Sequence, residues 1–173
     1  MKKLVLVVLC VFCFGMLCSA ADNDDSVFFR TSLNGLNETS VGGAPINTPA
    51  TGTFKMTVHP DGTVTFTLTF KNLTSMPLFS HIHFGFPAES GGVMVFLCGG
   101  DSQPACPAAT SGTITGTITA ANVVGPTKQN VTVGDLVTAL RLVGEGATYV
   151  NLHTTNFPGG EIRGQVHFAG RHD

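Results

Sequence analysis

Strict alternation of apolar and polar residues in the middle of the chain most constrains how it can fold. Apolar side chains occupy every second position over residues 54–58 and again over residues 64–70. Because alternate side chains of a β-strand point to opposite faces, each segment predicts a strand with one buried face. The intervening Pro60-Asp61-Gly62 favours a tight turn, since Pro fixes φ and Gly accepts positive φ. The sequence therefore predicts a β-hairpin here.

Short strands are expected on both sides of this hairpin, at residues 26–32, 78–85, 93–98, 112–119, 149–154 and 161–168. Segments rich in Gly, Pro, Thr and Asn separate them and indicate turns. One helix is expected after Thr132, its predicted N-cap, with Leu136 and Leu140 on an apolar stripe. We therefore predict an all-β fold, a Greek-key-like antiparallel β-sandwich or barrel with one short helix, in a single domain over residues 26–169.

The N-terminal segment has the features of a secretory signal peptide. Lys2 and Lys3 precede an apolar run over residues 4–17, and small residues follow. This run is shorter than the roughly 20 residues that a membrane-spanning helix needs, which disfavours the alternative of an uncleaved anchor. We expect removal of residues 1–20, with cleavage after Ala20 or Ala21, and a secreted, extracellular mature chain without a membrane span.

Export would remove three of the five cysteines and leave Cys98 and Cys106. An even pair in an exported chain predicts a disulfide that closes the loop over residues 99–105, with a metal-binding role of the thiols as the alternative. Three Asn-X-Thr motifs predict glycosylation of Asn37, Asn72 and Asn130 in a host that glycosylates exported proteins. Eleven Asp and Glu outnumber nine Lys and Arg without a basic stripe, which argues against nucleic acid as a partner.

Histidines on two predicted strands indicate a metal site on the outer, solvent-facing surface of the sheet. His81 and His83 are two residues apart and should project from the same face of one strand, and His153 should lie on the corresponding face of another. Imidazole is a suitable ligand for copper, zinc, iron and nickel, and a site with three protein ligands keeps a position open. The alternative is a solvated or hydrogen-bonded polar cluster. Arg163, facing outward on the last strand, would either pair with Glu161 or Glu145 or attract an anion.

These residues fall in segments that resemble the CHRD (chordin-type) domain over about residues 27–168. The similar segments are Phe28-Phe29-Arg30-Thr31-Ser32-Leu33-Asn34-Gly35, His81-Ile82-His83-Phe84-Gly85, Tyr149-Val150-Asn151-Leu152-His153-Thr154 and Pro158-Gly159-Gly160-Glu161-Ile162-Arg163-Gly164-Gln165. The resemblance implies an extracellular β-sandwich domain.

The order of His81, His83, His153 and Arg163 also resembles the copper half of copper/zinc superoxide dismutases. This weaker resemblance implies a copper ion on the three histidines, with Arg163 steering superoxide or another small anionic oxidant toward it. The sequence shows no clear bridging histidine or zinc-loop ligands between His83 and His153, so such an activity would be copper-only.

Two functions therefore follow as hypotheses. The first is a secreted metal-binding domain, with copper favoured and dismutase-like redox activity as its chemistry. The second is a non-enzymatic module, which either binds an extracellular protein or glycan through the loops at residues 39–53, 99–105 and 154–160 or has a purely structural role. No hydrolase motif of the Gly-X-Ser-X-Gly or His-Glu-X-X-His type is present in the sequence.

Overall fold

The computed structural model describes residues 25–39, 42–100 and 103–172, so the predicted signal peptide lies outside the described residues. Within them, the elements in chain order are β1 Val27–Asn34, β2 Thr51–Val58, β3 Val64–Lys71, β4 Pro77–Phe84, β5 Gly92–Cys98, β6 Gly112–Ile118, α1 Leu136–Gly144, β7 Thr148–Thr154, β8 Ile162–Gln165 and β9 His167–Arg171. Three short 3-10 helices lie in the connections. The all-β prediction with one short helix is confirmed.

The strands form one antiparallel sheet in the order β5-β4-β7-β8-β1-β2-β3-β6. Strand β8 pairs with the C-terminal end of β1, and β9 pairs with its N-terminal half. The two edge strands β5 and β6 approach each other, and a bridge between Val95 and Val123 helps to bring the sheet nearly to closure. Around the barrel the neighbours are therefore β3, β6, β5 and β4 in that order. Strands β4, β5 and β6 are consecutive in the chain, and β3 lies beside β6, so these four strands form a Greek key. The architecture is a nearly closed β-barrel around one core.

The predicted hairpin is formed by β2 and β3, with Val58 opposite Val64. Gly62 has a φ of 83° in the turn, and its amide donates to the His59 carbonyl at 2.9 Å. Alternate side chains of both strands enter the core, and each is at most 3 % exposed: Phe54, Met56, Val64, Phe66, Leu68 and Phe70. The period of two thus identified both the strands and their buried face.

The strand predicted over residues 161–168 is instead two strands, β8 and β9. The chain breaks at the fully buried Val166, whose amide donates to the Thr148 carbonyl at 2.9 Å. After this point the chain changes partner, and β9 pairs with β1, with Phe168 opposite Phe29. Continuous alternation over residues 161–168 predicts that Phe168 points into the core with Ile162 and Val166. This prediction is wrong, because the change of partner leaves the Phe168 side chain 60 % exposed.

Helix α1 begins at Leu136, and its N-cap is Asp135 rather than the predicted Thr132. The Asp135 carboxylate accepts a hydrogen bond from the Thr138 amide at 2.9 Å, which satisfies a donor of the first helical turn. Thr132 instead precedes a turn in which its carbonyl accepts from the Asp135 amide. The helix buries Ala139, Leu142 and Val143 against the sheet.

Cys98, at the end of β5, forms a disulfide with Cys106, as predicted, and their Cα atoms lie 5.0 Å apart. Gly99 enters the closed loop with a φ of 81°, and its amide donates to the Pro104 carbonyl at 2.7 Å. Among the described residues, no helix has the length and apolar character needed to cross a membrane.

Candidate metal centre

The three histidines predicted from the sequence meet on neighbouring strands. His81 and His83 lie on β4, and His153 lies on β7, which pairs with β4 in antiparallel register. One ring nitrogen from each histidine lies within 4.8 Å of those of the other two. The closest pair, His81 Nδ1 and His153 Nε2, is 3.1 Å apart. Two distant stretches of the chain therefore bring three candidate ligands to one point.

The prediction that this cluster lies on the solvent-facing surface of the sheet is wrong. His81, His83 and His153 are only 5 %, 7 % and 8 % exposed. Aromatic side chains cover their rings: Phe96 meets the His81 ring edge-on at 4.5 Å, and Tyr149 stacks on the His83 ring at 4.7 Å. The outer face is covered because side chains and the loop after β4 fold over it, which strand periodicity does not reveal.

Backbone carbonyls fix the proton positions of two of the imidazoles. Nδ1 of His83 lies 3.0 Å from the Gly91 carbonyl, and Nδ1 of His153 lies 2.9 Å from the Pro158 carbonyl. Since a carbonyl can only accept, each Nδ1 carries the proton and each Nε2 keeps its lone pair in the neutral ring. Metal-bound histidines are held by carbonyls in the same way.

The Nε2 atom of His83 has no hydrogen-bond partner among the described residues, although it is fully buried. By contrast, Nε2 of His153 lies 3.1 Å from His81 Nδ1 and 3.0 Å from Oδ1 of Asn151. An amide oxygen only accepts, so of these two groups the Nδ1–H of His81 is the one that donates to the unprotonated Nε2 of His153. The cluster thus contains one unsatisfied lone pair, on His83, and one that His81 satisfies.

Burial lowers the pKa of all three imidazoles. Desolvation is the main cause in each case, and it brings the pKa of His81 to about 3 and that of His83 to about 4. The two neighbouring histidines lower the pKa of His81 further, because adjacent positive charges repel one another. At neutral pH the cluster therefore consists of uncharged bases, which is the form of histidine that binds metal ions.

Arg163 lies on β8 and is only 2 % exposed, although the sequence predicts an outward-facing residue. Its guanidinium donates to the carbonyls of Phe86 and Glu89 at 3.0 and 2.8 Å and to the Thr39 hydroxyl at 3.0 Å. Its Cζ atom also lies 3.4 Å from the centre of the Tyr149 ring. These contacts give Arg163 an anchoring role for the loop after β4, and anion steering stays a prediction.

Sequence reasoning missed two buried carboxylates beside this region. Glu38 is 3 % exposed, accepts from the Thr39 amide at 3.2 Å, and has its pKa raised mainly by desolvation. Glu161 is fully buried and accepts hydrogen bonds from Thr48, Thr74 and Thr154. Glu38 also interacts with Asn151 and Arg163, and Glu161 bonds Thr48 and Thr74. These partners are distant in the chain, so no local pattern marks either carboxylate as buried.

The three predicted glycosylation sites differ in their surroundings. Asn72 and Asn130 are exposed and both have positive φ, at 58° and 62°. Asn37 is exposed as well, but its side-chain amide donates to the Arg163 carbonyl at 3.3 Å. Glycosylation at all three sites stays a prediction.

A protein-family model described as the CHRD domain matches residues 29–166 of this chain. The match includes every residue of the histidine cluster and the strands that carry them. A comparison with curated proteins gave no match.

Proposed function

Since this chain belongs to the CHRD domain family, we propose that it is a secreted CHRD-domain protein that binds one transition-metal ion through His81, His83 and His153. The observation that carries the proposal is the buried, unpartnered Nε2 of His83. Leaving a buried polar atom without a partner costs about 1–3 kcal/mol, and an ion at this point would remove that cost.

The geometry suits an ion with nitrogen ligands. Two nitrogens bound at about 2.0–2.1 Å to a tetrahedral ion lie roughly 3.3 Å apart. His81 Nδ1 and His153 Nε2 already lie 3.1 Å apart, so this pair needs little movement. The carbonyls of Gly91 and Pro158 orient the rings of His83 and His153 through their Nδ1 protons, as outer-shell partners of metal ligands do.

Copper is the favoured ion. Imidazole binds copper and zinc well, and copper stands highest in the affinity order of the divalent first-row metals. Three protein ligands leave a position open for a small oxidant, and copper there would supply one-electron chemistry of the superoxide dismutase type. The contribution of the protein is to hold the rings, keep them neutral, and cover them with Phe79, Phe96 and Tyr149.

Metal analysis and electron paramagnetic resonance test this proposal. The mature chain, loaded with Cu²⁺ or Zn²⁺ and freed of excess metal, should retain one ion, and His83→Ala should retain far less. His59→Ala is the matched control, because His59 hydrogen-bonds Thr65 in the β2–β3 hairpin rather than a histidine. Binding that is sub-stoichiometric, or equal in wild type and His83→Ala, would overturn the proposal.

A further inference from the structure

Three basic side chains stand in a row across three neighbouring strands. Arg30 on β1 lies directly opposite Lys55 on β2 and directly opposite His167 on β9. All three are exposed. Strands lie about 4.8 Å apart, so the row extends over about 10 Å of the surface. The sequence does not show this alignment, because it arises from pairing between three separate segments.

None of these three side chains forms an ion pair with a carboxylate in the described part of the chain. Like charges on directly opposed positions destabilise a sheet, and Arg30 and Lys55 occupy such a pair. Arg30 and Lys55 are therefore two uncompensated positive charges in a chain whose formal net charge, with histidines counted as neutral, is −2. An anionic ligand would remove the repulsion.

A groove of about 1080 Å³ adjoins the row and includes all three basic residues in its wall. Glu38 is the one acidic side chain among its described wall residues, and it is 3 % exposed. The wall also offers the hydroxyls of Ser32 and Thr53, which lie opposite each other beside the row.

An exposed apolar side chain also lies in the wall of the groove. Leu36, just after β1, is 74 % exposed. Together with the hydroxyls and the basic row, it gives the groove apolar, hydrogen-bonding and cationic surface. A sugar that carries acid groups presents the complementary combination.

We propose that this groove binds an acidic polysaccharide, with sulfate or carboxylate groups on Arg30, Lys55 and His167 and sugar rings against Leu36. A single small anion would meet only part of a row about 10 Å long, whereas a polymer with repeated charges meets all of it. The groove is at the upper end of the size range of small-molecule pockets, which fits a segment of several sugars. This site is separate from the histidine cluster and does not depend on a bound metal.

The test compares two double variants with the same change in charge. Arg30→Gln/Lys55→Gln removes two groove cations, and Lys71→Gln/Lys128→Gln removes two exposed cations elsewhere. The chain is produced in a host without N-glycosylation, so that Asn37 in the groove wall carries no sugar. Binding to size-defined heparin fragments is measured by calorimetry, with uncharged dextran and single-stranded DNA as comparison probes, and thermal melting checks folding.

The proposal predicts heparin binding that falls at least tenfold in Arg30→Gln/Lys55→Gln and changes less than twofold in the lysine control. It also predicts no dextran binding and weaker DNA binding. An equal loss in both double variants would overturn it, as would undetectable heparin binding or equal affinity for DNA. Because all binding is measured without metal, failure of this proposal leaves the metal proposal unaffected, and the reverse also holds.

Discussion

The imidazole of His83 and the phenol of Tyr149 lie parallel, with ring centroids 4.7 Å apart and planes inclined by only 2°. Tyr149 is the only tyrosine of the chain, and there is no tryptophan. The guanidinium carbon of Arg163 also lies 3.4 Å from the centre of the phenol ring. A single fluorophore thus reports on the proposed metal site without any label.

We therefore expect Cu²⁺ to quench the tyrosine fluorescence of the wild-type chain and to saturate at one equivalent. The reason is the direct stacking of Tyr149 on a proposed ligand. Zn²⁺ should quench far less, because it has no redox chemistry. In His83→Ala the quenching at one equivalent should largely disappear, whereas His59→Ala should behave as wild type. Equal quenching in both variants would contradict a site at His83.

The metal-free protein should lose stability as the pH falls from about 6.5 toward 4. The folded-state pKa of His83 is lowered to about 4 from its ordinary 6.5, mainly by desolvation, so the unfolded chain takes up a proton that the folded chain does not. The contribution of His83 to the free energy of unfolding is fully present above pH 6.5. It is lost progressively as the pH approaches 4, by at most about 3 kcal/mol.

Urea unfolding at pH 7.5 and pH 5 measures this loss. In His83→Gln, which cannot titrate, the decrease in unfolding free energy between the two pH values should be smaller by about 1–2 kcal/mol. An identical decrease in wild type and His83→Gln would show that this histidine does not carry the pH dependence.

Replacing Arg163 by Gln should destabilise the fold by about 2–4 kcal/mol. The change removes three hydrogen bonds from a buried guanidinium and leaves the carbonyls of Phe86 and Glu89 without their donor. Arg141→Gln is the control, because Arg141 forms an exposed i,i+4 ion pair with Glu145. This replacement should lower the free energy of unfolding by less than about 1 kcal/mol. Chemical unfolding at pH 7.5 measures both, and similar costs for the two would count against an anchoring role of Arg163.

The copper-loaded wild-type chain should consume superoxide faster than the same chain without metal. The rate for copper-treated His83→Ala should not exceed the rate of the metal-free chain. The salt dependence of this rate, measured for wild type and for Arg163→Lys, distinguishes two roles of Arg163, which are steering of the anion and anchoring of the loop after β4. A steering cation would give a rate that falls with ionic strength, since salt screens the attraction. The internal hydrogen bonds of Arg163 instead predict a rate that changes little with salt. Stopped-flow measurement over a salt series separates these outcomes.

The sequence was sufficient for features that depend on neighbouring positions. Alternation over residues 54–70 identified the β2–β3 hairpin, and the two-residue spacing placed His81 and His83 on one face of β4. The pairing of β4 with β7, which brings His153 to His81 and His83, was a condition of the three-histidine hypothesis and not something that the sequence pattern predicts.

Features that depend on distant contacts were not predictable in this way. The burial of the cluster depends on the loop after β4, whose Gly91 carbonyl holds His83 and whose Phe86 and Glu89 carbonyls hold Arg163. The break at Val166 arises because β9 finds a new partner in β1. Neither contact leaves a periodic signal in the sequence, so a surface site and a continuous last strand were expected instead.

The near-complete covering of the three imidazoles has a kinetic consequence. With each ring less than a tenth exposed, an ion from solvent can reach the Nε2 of His83 only while the covering loop or side chains have moved aside. Uptake and release would then be slow and would share this opening step, so the lifetime of the bound ion would follow local opening rates. An ion taken up early in the life of the protein would be shielded from chelators in its surroundings.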